Sequence, residues 1–257
     1  MLFNSSTTMP VIIGNGDVGK ALNKVLSNKF STVVFDREDD LLPLEGESLH
    51  ICFPYSQSFV KEVKRYIKFF KPSFVVIHST VPCGTCNKID EFVVHSPIRG
   101  RHQELEKSLK TFVKYVASHS KVARNLARKE LEQVGLKVKT FDDPRITELA
   151  KILSTTYYGL CIIFAKEVEK LCQKYNLSFD KVYSEWNKTY NEGYSKMNLF
   201  QFVRPILKAT AGEIGGHCVI PNARILRDEF VLAKQLLKLN DSYGLHLSPF
   251  GCKERED

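Results

Sequence analysis

A glycine-rich turn near the N-terminus restricts the possible folds of this chain more than any other feature. Residues 14–19 (GNGDVG) hold three glycines in GxGxxG order, between an apolar run at residues 10–13 and a stretch with helical spacing at residues 19–26. In a strand–turn–helix unit, the first glycine permits the tight turn, the second lets the backbone approach a pyrophosphate, and the third lets the helix pack on the strand. The pattern predicts a Rossmann dinucleotide-binding unit, with a structural turn of another α/β fold as the alternative.

The residues around this turn indicate which dinucleotide would bind. A helix N-terminus offers free N–H groups and a positive dipole end to phosphates. Asp36 follows Gly14 by about twenty residues, where a carboxylate binds both ribose hydroxyls of NAD and repels the 2′-phosphate of NADP. The adjacent Arg37 weakens that discrimination. We therefore expect NAD as the cofactor, and the residues expected to contact it here are Gly14, Gly16, Asp17, Val18, Gly19, Asp36 and Arg37.

Strand and helix patterns alternate from this turn to about residue 141, which predicts an α/β fold with a parallel sheet covered by helices on both faces. A turn cluster at residues 142–144 (DDP) ends the alternation, so we expect a doubly wound Rossmann domain at residues 1–145. The further strands are predicted at residues 31–36, 49–54, 74–80, 91–95, 114–118 and 136–141, and the further helices at residues 59–70 and 121–134.

The second half of the chain has a helical pattern. It runs without a clear break from Ile146 to about Tyr175, a helix of roughly 45 Å. Its apolar residues cover more than one face, so such a helix needs partners around it, including a second subunit. The rest of the chain is predicted to be mostly helical, with a break at residues 212–222. We expect a smaller all-helical domain at residues 146–257, built on the long helix and used for substrate binding and homodimerisation.

Composition narrows the class of partner and compartment. The net charge is +8, but the lysines are scattered, which disfavours nucleic acid and suits an anionic small molecule. No apolar run approaches the roughly 20 residues that span a bilayer, and no secretory signal is visible, so we expect a cytoplasmic protein away from membranes. The seven cysteines are irregularly spaced, which predicts reduced thiols, and we expect no metal site at the Cys83–Cys86 pair.

Five later segments resemble, in order and spacing, motifs of the UDP-glucose/GDP-mannose dehydrogenase family. The resemblance runs from about residue 10 to residue 235. The loop at residues 215–222 (GGHCVIPN) resembles the family's GGHC or GGSC loop, which carries its nucleophilic cysteine. The other four are residues 52–54 (CFP, similar to the end of VPTP), residues 77–85 (IHSTVPCGT, similar to STVPPGT), residues 148–151 (ELAK, similar to E-x-x-K) and residues 167–172 (EVEKLC, similar to the end of NE-x-x-x-LC).

The resemblance implies a double oxidation of a sugar nucleotide's primary alcohol by NAD, giving a uronic acid. Lys151 would stabilise the developing alkoxide. Cys218, flanked by Gly215, Gly216 and His217, would trap the aldehyde as a thiohemiacetal, which is oxidised to a thioester and hydrolysed. Pro54 and Thr80, near the ends of their strands, would lie beside the cofactor.

Several positions depart from the family. Thr155 stands where an asparagine is common, Asn222 where an aspartate is common, and Ile98 where a glutamate is common; His102 lies near the place of a second glutamate. These changes bear on thioester hydrolysis more than on the first oxidation. The resemblance also implies a truncated form without the family's C-terminal nucleotide-binding domain. Its substrate would then be held by a partner chain, by a dimer mate, or would be smaller.

The sequence is also compatible with two other functions. One is a single-step reductase of the β-hydroxyacid dehydrogenase superfamily, which includes 6-phosphogluconate dehydrogenase, with Lys151 as the proton donor and Cys218 incidental. The other is a degenerate, non-catalytic NAD-binding dimer, which the changes at Thr155, Ile98 and Asn222 motivate. The number of NADH molecules formed per substrate separates these functions from the double oxidation.

Overall fold

The computed structural model describes residues 9–36, 39–42, 47–216 and 218–244. The chain divides into two compact units, Met1–Lys151 and Ile152–Asp257. The division falls within one long helix that begins at Pro144. The functional domain limits at residues 145 and 146 stay a prediction.

The first unit is built on a seven-stranded sheet. The strand order is β2-β1-β3-β4-β5-β6-β7, so the chain leaves β1 first toward one edge and then toward the other. This reversal makes the carboxyl end of β1 the topological switch point, where ligands bind in open α/β sheets. The predicted doubly wound Rossmann sheet is thereby confirmed. The strands are β1 (Pro10–Ile13), β2 (Val33–Phe35), β3 (Ser48–Ile51), β4 (Phe74–Ile77), β5 (Val93–His95), β6 (Lys114–Ala117) and β7 (Val138–Phe141).

One strand pairing differs from the all-parallel prediction. β5 and β6 pair antiparallel, with His95 opposite Ala117, whereas all the other neighbours are parallel. The connection between these two strands contains only the seven-residue helix α3 (Leu105–Thr111) and a short 3₁₀ turn at His102–Glu104. It returns the chain at the carboxyl end of β5, so β6 runs back along β5 instead of crossing over. β6 and β7 keep the predicted parallel βαβ connection.

Helices cover both faces of the sheet. They are α1 (Asp17–Leu26), α2 (Phe59–Phe70) and α4 (Lys121–Gln133), and α5 (Pro144–Lys174) begins after β7. Alternate strand residues point to opposite faces, and both faces are apolar, as expected for a parallel sheet buried on both sides. On one face, strand residues pack with α2 through Phe59, Val63, Tyr66 and Phe70. On the other face, they pack with α4 through Ala123, Ala127 and Leu131.

The second unit is helical, as predicted. It contains most of the 31-residue α5, a π-helical segment (Asp180–Glu185) that continues into α6 (Trp186–Lys196), a 3₁₀ turn at Phe200–Phe202, α7 (Val219–Ile225) and α8 (Val231–Gly244). Its core joins α5, α7 and α8 through Ile152, Ile163, Ile220, Ala223, Leu226, Ala233, Leu236 and Leu237. In the part of the chain that the structure describes, no helix has the length and apolarity needed to cross a membrane.

Close packing in this core depends on Gly159 of α5. A Cβ atom built there would lie 2.5 Å from Cγ1 of Val219 and 2.9 Å from Cδ2 of Leu236. We expect Gly159→Ala to lower the free energy of unfolding by about 1–3 kcal/mol, because a closely packed core resists an added methyl group. Urea titration followed by circular dichroism measures this change.

The matched control is Gly193→Ala in α6, where a Cβ atom meets nothing within 4 Å. Alanine suits a helix interior better than glycine by about 0.5–1 kcal/mol, so this variant should be as stable as the parent chain or more stable. Equal stability of Gly159→Ala and the parent would contradict the close packing.

Candidate active site

The glycine turn has the geometry that its sequence predicts. Gly14 has φ +106°, in the region that favours glycine, and its N–H donates to the Phe35 carbonyl at 2.8 Å. A Cβ atom on Gly14 would lie 2.9 Å from the Phe53 backbone nitrogen. A Cβ atom on Gly19 would lie 1.8 Å from the Gly14 carbonyl oxygen. The first turn of α1 therefore packs directly on the backbone of the turn, with no room for a side chain at either glycine.

Gly16 differs from the other two glycines because the space around it is open. It precedes α1 in an extended conformation, and a Cβ atom there would meet nothing within 4 Å. Because this N-cap residue is a glycine, it has no side chain that could bond the N–H groups at the helix end. Asp17 and Val18 form the start of the helix, whose first N–H groups have no carbonyl partner within an α-helix. Open space beside such N–H groups fits a phosphate, which is what the motif requires.

The strand register brings the other predicted cofactor residues to the same edge of the sheet. Ile13 pairs with Phe35 on one side and with Ile51 on the other. Asp36 therefore follows β2 beside Gly14. Pro54 and Thr80 lie beyond the carboxyl ends of β3 and β4, on the other side of the switch point. Arg37 lies outside the described residues, and contact between this set and NAD stays a prediction.

A buried carboxylate joins two of the sequence motifs within the first unit. Glu148 of α5 is fully buried. Its Oε2 accepts the N–H of Gly84 at 2.5 Å, and its Oε1 accepts the N–H of Cys86 at 2.8 Å. The loop that follows Thr80 is thus held to the helix that carries Lys151, one turn after Glu148. The sequence placed Glu148 and Lys151 on one helix face but did not show that Glu148 binds this loop.

His95, at the end of β5, is a buried neutral imidazole. Its Nε2 donates to the Ser79 carbonyl at 3.2 Å, and its Nδ1 lies 2.8 Å from Oγ1 of Thr147. Burial is the largest cause that lowers the pKa of His95 to about 3; the hydrogen bond to Ser79 opposes it, and the charges of Lys114 and Lys151 lower it further. No sequence motif gave His95 a role.

The low pKa of His95 predicts how stability depends on pH. The unfolded chain binds a proton at His95 near pH 6.5, whereas the folded chain does not until about pH 3. The contribution of His95 to the free energy of unfolding is therefore largest above pH 6.5. It decreases as the pH is lowered further, by about 1.4 kcal/mol per pH unit. Between pH 7.5 and pH 5.5, the free energy of unfolding measured with urea should decrease less for His95→Gln than for the parent.

The parent chain, which keeps His95, is the reference for this measurement. His78 is also buried, and burial is the first cause that lowers its pKa, so part of the pH dependence remains in the His95 variant. An equal loss of stability in the parent and in His95→Gln would contradict the assignment.

A second polar cluster, which the sequence did not indicate, lies inside the sheet domain. Glu130 of α4 accepts the Ser48 hydroxyl at 2.5 Å, and its other carboxylate oxygen lies 2.9 Å from Nε2 of His50. Nδ1 of His50 lies 2.9 Å from Nε2 of His78. All four side chains are buried. Hydrogen bonds between them offset the cost of removing polar groups from water.

Lys114 extends this cluster to the carboxyl end of β5. Its buried Nζ donates to the carbonyls of Ser96 and Pro97 and lies 3.2 Å from Nδ1 of His78. Burial is the largest cause that lowers the pKa of Lys114 well below its usual value. These bonds hold the backbone before Ile98, which lies in the core and not among the polar site residues. His102 begins the 3₁₀ turn that follows.

In the second unit, the structure brings Thr155 and Asn222 into contact. Nδ2 of Asn222 donates to Oγ1 of Thr155 at 2.9 Å, and the Asn222 N–H donates to the Cys218 carbonyl at 3.1 Å. Cys218 is partly exposed and directly precedes α7. The two departures from the family pattern therefore form one hydrogen-bonded pair, one helical turn from Cys218. His217 lies outside the described residues.

No protein-family model and no curated protein matches this chain. Solved structures do. A UDP-D-ManNAc dehydrogenase from Pyrococcus horikoshii is 17% identical, with a TM-score of 0.74 over 92% of this chain and 69% of that chain. A UDP-glucose dehydrogenase from Pyrobaculum islandicum is 14% identical, with a TM-score of 0.69 over 94% of this chain and 70% of that chain.

A shorter protein is similar over nearly its whole length. The 3-hydroxyisobutyrate dehydrogenase of Mycobacterium tuberculosis is 13% identical, with a TM-score of 0.72 over 93% of this chain and 94% of that chain. At these identities the likeness concerns the fold. The chain therefore has the fold shared by 3-hydroxyisobutyrate dehydrogenase and the N-terminal part of the nucleotide-sugar dehydrogenases.

Proposed function

We propose that this chain is an NAD-dependent oxidoreductase that oxidises the primary alcohol of an anionic nucleotide sugar to an acid, through a thioester on Cys218. The observation that carries the proposal is the glycine turn, with open space over Gly16 and Asp36 beside it at the switch point of the sheet. The fold shared with several dehydrogenases and the five sequence motifs support it.

The residues at the switch point fit NAD. Gly16 leaves room for the pyrophosphate, and the start of α1 offers N–H groups to it. Asp36 would bind the adenosine ribose hydroxyls, and Thr80 and Pro54 would border the nicotinamide. When bound, NAD⁺ accepts the hydride that leaves the substrate carbon in each oxidation.

Lys151 is proposed to handle the proton in the first oxidation. The alcohol loses a hydride from carbon and a proton from oxygen, so the growing negative charge on oxygen needs a cation beside it. Glu148, one turn before Lys151 on α5, binds the N–H groups of Gly84 and Cys86, which supports a place for the Lys151 ammonium near the loop after Thr80. A cation there also attracts an anionic substrate.

Cys218 is proposed to keep the aldehyde from escaping. A carbon–sulfur bond forms to the aldehyde carbon, and the thiol proton passes to its oxygen, giving a thiohemiacetal. Loss of a second hydride from that carbon and a proton from the hydroxyl gives a thioester. Water then adds to the acyl carbon, the carbon–sulfur bond breaks, and the acid leaves as the thiol is restored.

The Thr155–Asn222 pair bears on the rate of this last step, the hydrolysis of the thioester. Nδ2 of Asn222 is engaged with Thr155, which leaves its Oδ1 to accept a hydrogen bond from water. An amide can orient the water but cannot take its proton as a carboxylate does. We therefore expect hydrolysis to be the slow step, with the thioester on Cys218 accumulating during turnover.

The test is a panel of UDP- and GDP-sugars with NAD, in which NADH and product are both counted. Two NADH per acid formed supports the double oxidation. One NADH per aldehyde or keto product would leave Cys218 without a role. NAD binding without oxidation of any sugar or hydroxyacid would favour a non-catalytic NAD-binding protein.

A second candidate is a single-step β-hydroxyacid dehydrogenase, with Lys151 as proton donor. The observation that favours it is the shared fold, because 3-hydroxyisobutyrate dehydrogenase matches this chain over 94% of its own length with a TM-score of 0.72. Small hydroxyacids therefore belong in the same substrate panel. One NADH per hydroxyacid, unaffected by Cys218→Ala, would establish this function instead.

We also propose a homodimer in the cytoplasm. Large apolar side chains are exposed on α5 and α6, among them Tyr157, Phe164, Leu171 and Trp186, each more than half exposed. Burying them against a second copy would remove apolar surface from water. The six described cysteines are free thiols, in keeping with a reducing compartment.

A further inference from the structure

Lys166 of α5 makes an unusual set of contacts for a lysine on a helix. The residue is only 2% exposed. Its Nζ donates to the backbone carbonyls of Thr210 and Gly212, the second at 2.8 Å, and lies 3.5 Å from Oγ1 of Thr210. An ammonium has three donors and no acceptor, so two converging carbonyls and a hydroxyl match it well. Lys166 thus binds the backbone of a segment 44 residues away in the chain.

Helix α8 holds the same segment from a different element. Oδ1 of the buried Asn240 accepts the Ile214 N–H at 2.7 Å. The Tyr243 ring lies 5.0 Å from the Lys166 Nζ, and its hydroxyl donates to Glu167 at 2.5 Å. Residues 210–214 are therefore fixed at three backbone groups by side chains of α5 and α8.

This segment leads directly into the loop that carries Cys218. Only three residues separate Ile214 from Cys218 along the chain, and two of them are glycines, which have more backbone freedom than any other residue. Beyond Cys218, Asn222 is bound to Thr155. Cys218 therefore lies between two anchors, one formed by Lys166 and Asn240 and one formed by Thr155.

We propose that Lys166 is a positioning residue: it holds the carbonyls of Thr210 and Gly212 so that the loop presents Cys218 to the substrate. This proposal rests on the proposed function for its effect on catalysis, but not for its effect on the loop. Lys166 itself touches neither the reacting carbon nor the thiol in this role. Burial and the charge of Lys170 lower the pKa of Lys166, which agrees with an amine held inside the protein.

Lys166→Met tests the role, because methionine fills similar space and donates no hydrogen bond. Lys170→Met is the matched control. Lys170 lies one turn further along α5, 3.9 Å from the Tyr243 ring, and pairs with Glu167. Lys166→Arg keeps the charge and the donors and should restore most of the parent behaviour.

The first measurement is the rate at which iodoacetamide alkylates Cys218, followed on the Cys218 peptide by mass spectrometry. We expect Lys166→Met to raise this rate about tenfold, because a released loop opens more often. Cys83, which is exposed, and Cys172, which is buried, serve as references within the same sample. The second measurement is kcat, which we expect to fall about 100-fold, since a shift of about 1 Å in a reacting group costs that much. NAD affinity should not change.

Alkylation and kcat equal to those of Lys170→Met would overturn the proposal. If circular dichroism shows that Lys166→Met is unfolded, Lys166→Gln replaces it, because its shorter side chain does not extend as far as that of lysine. The same alkylation and kcat results then support or overturn the proposal. Faster alkylation of Cys218 together with full acid formation by Cys218→Ala would leave the positioning intact and refute the thioester. Suppose instead that Lys166→Met leaves the alkylation of Cys218 unchanged and that Cys218→Ala loses acid formation. These results would refute the positioning role and support the thioester.

Discussion

Gly19→Ala is expected to abolish measurable NAD binding and to lower the free energy of unfolding by about 3 kcal/mol. The added Cβ atom would lie 1.8 Å from the Gly14 carbonyl oxygen, which belongs to the backbone and has no rotamer to change. α1 must therefore move away from the turn, which strains a close-packed region and displaces the N–H groups that we propose bind the phosphates. Urea unfolding measures the stability, and isothermal titration with NAD measures the binding.

Gly16→Ala is the control that separates binding from folding. Its φ of −77° suits alanine, and the added Cβ atom would meet no protein atom within 4 Å. We expect it to unfold at the urea concentration of the parent chain in the absence of NAD. It should nevertheless bind NAD about tenfold or more weakly, because the methyl group occupies the space assigned to the pyrophosphate. Parent-like NAD affinity in Gly16→Ala would show that the dinucleotide does not bind at this turn.

Cys218→Ala is expected to stop acid formation, with a loss of at least about 1000-fold, as for removal of other covalent nucleophiles. The first oxidation needs no sulfur, so the variant should still form an aldehyde and at most one NADH per substrate. The parent should form two. Acid-quenched samples of the parent, examined by mass spectrometry, should carry the acyl group on the Cys218 peptide.

Cys161→Ala provides the matched control. Cys161 is another partly exposed thiol in the same unit, but it lies within α5 and not in the glycine-rich loop. Its replacement should leave the NADH yield and the acyl adduct unchanged. Parent-like acid formation by Cys218→Ala would exclude the thioester, and the single-step hydroxyacid dehydrogenase would then be the better account.

Three loops near the proposed sites are each held by one buried ionisable side chain. Glu148 accepts two N–H groups of the loop after Thr80, Lys114 donates to the carbonyls of Ser96 and Pro97, and Lys166 donates to those of Thr210 and Gly212. In each case the side chain supplies the complementary hydrogen-bonding group: the carboxylate accepts N–H groups and the amines donate to carbonyls. Loops carry backbone polar groups that no sheet or helix pairs, so such side chains supply the missing partners.

Some of these features could be predicted and others could not. The apolar run of β1, the three glycines and the pattern of α1 are adjacent in the chain, so local rules predicted the turn and its shape. The unbroken pattern after residue 146 predicted α5 for the same reason. The reversed direction of β6 was missed, because strand direction depends on where the connection emerges and not on the strand's own residues. The carboxylate of Glu148 and the imidazole of His95 were likewise missed as binding groups.

The sequence alone determined the local structure and the order of elements, since side-chain periodicity and glycine spacing act over one turn or one strand. Only the tertiary structure decided which buried polar groups bind which loops. Glu148 and Gly84 are 64 positions apart, and Asn222 and Thr155 are 67 apart. A hydrogen bond requires its atoms to lie within about 3.5 Å, and no pattern in the sequence specifies such a distance across a folded chain.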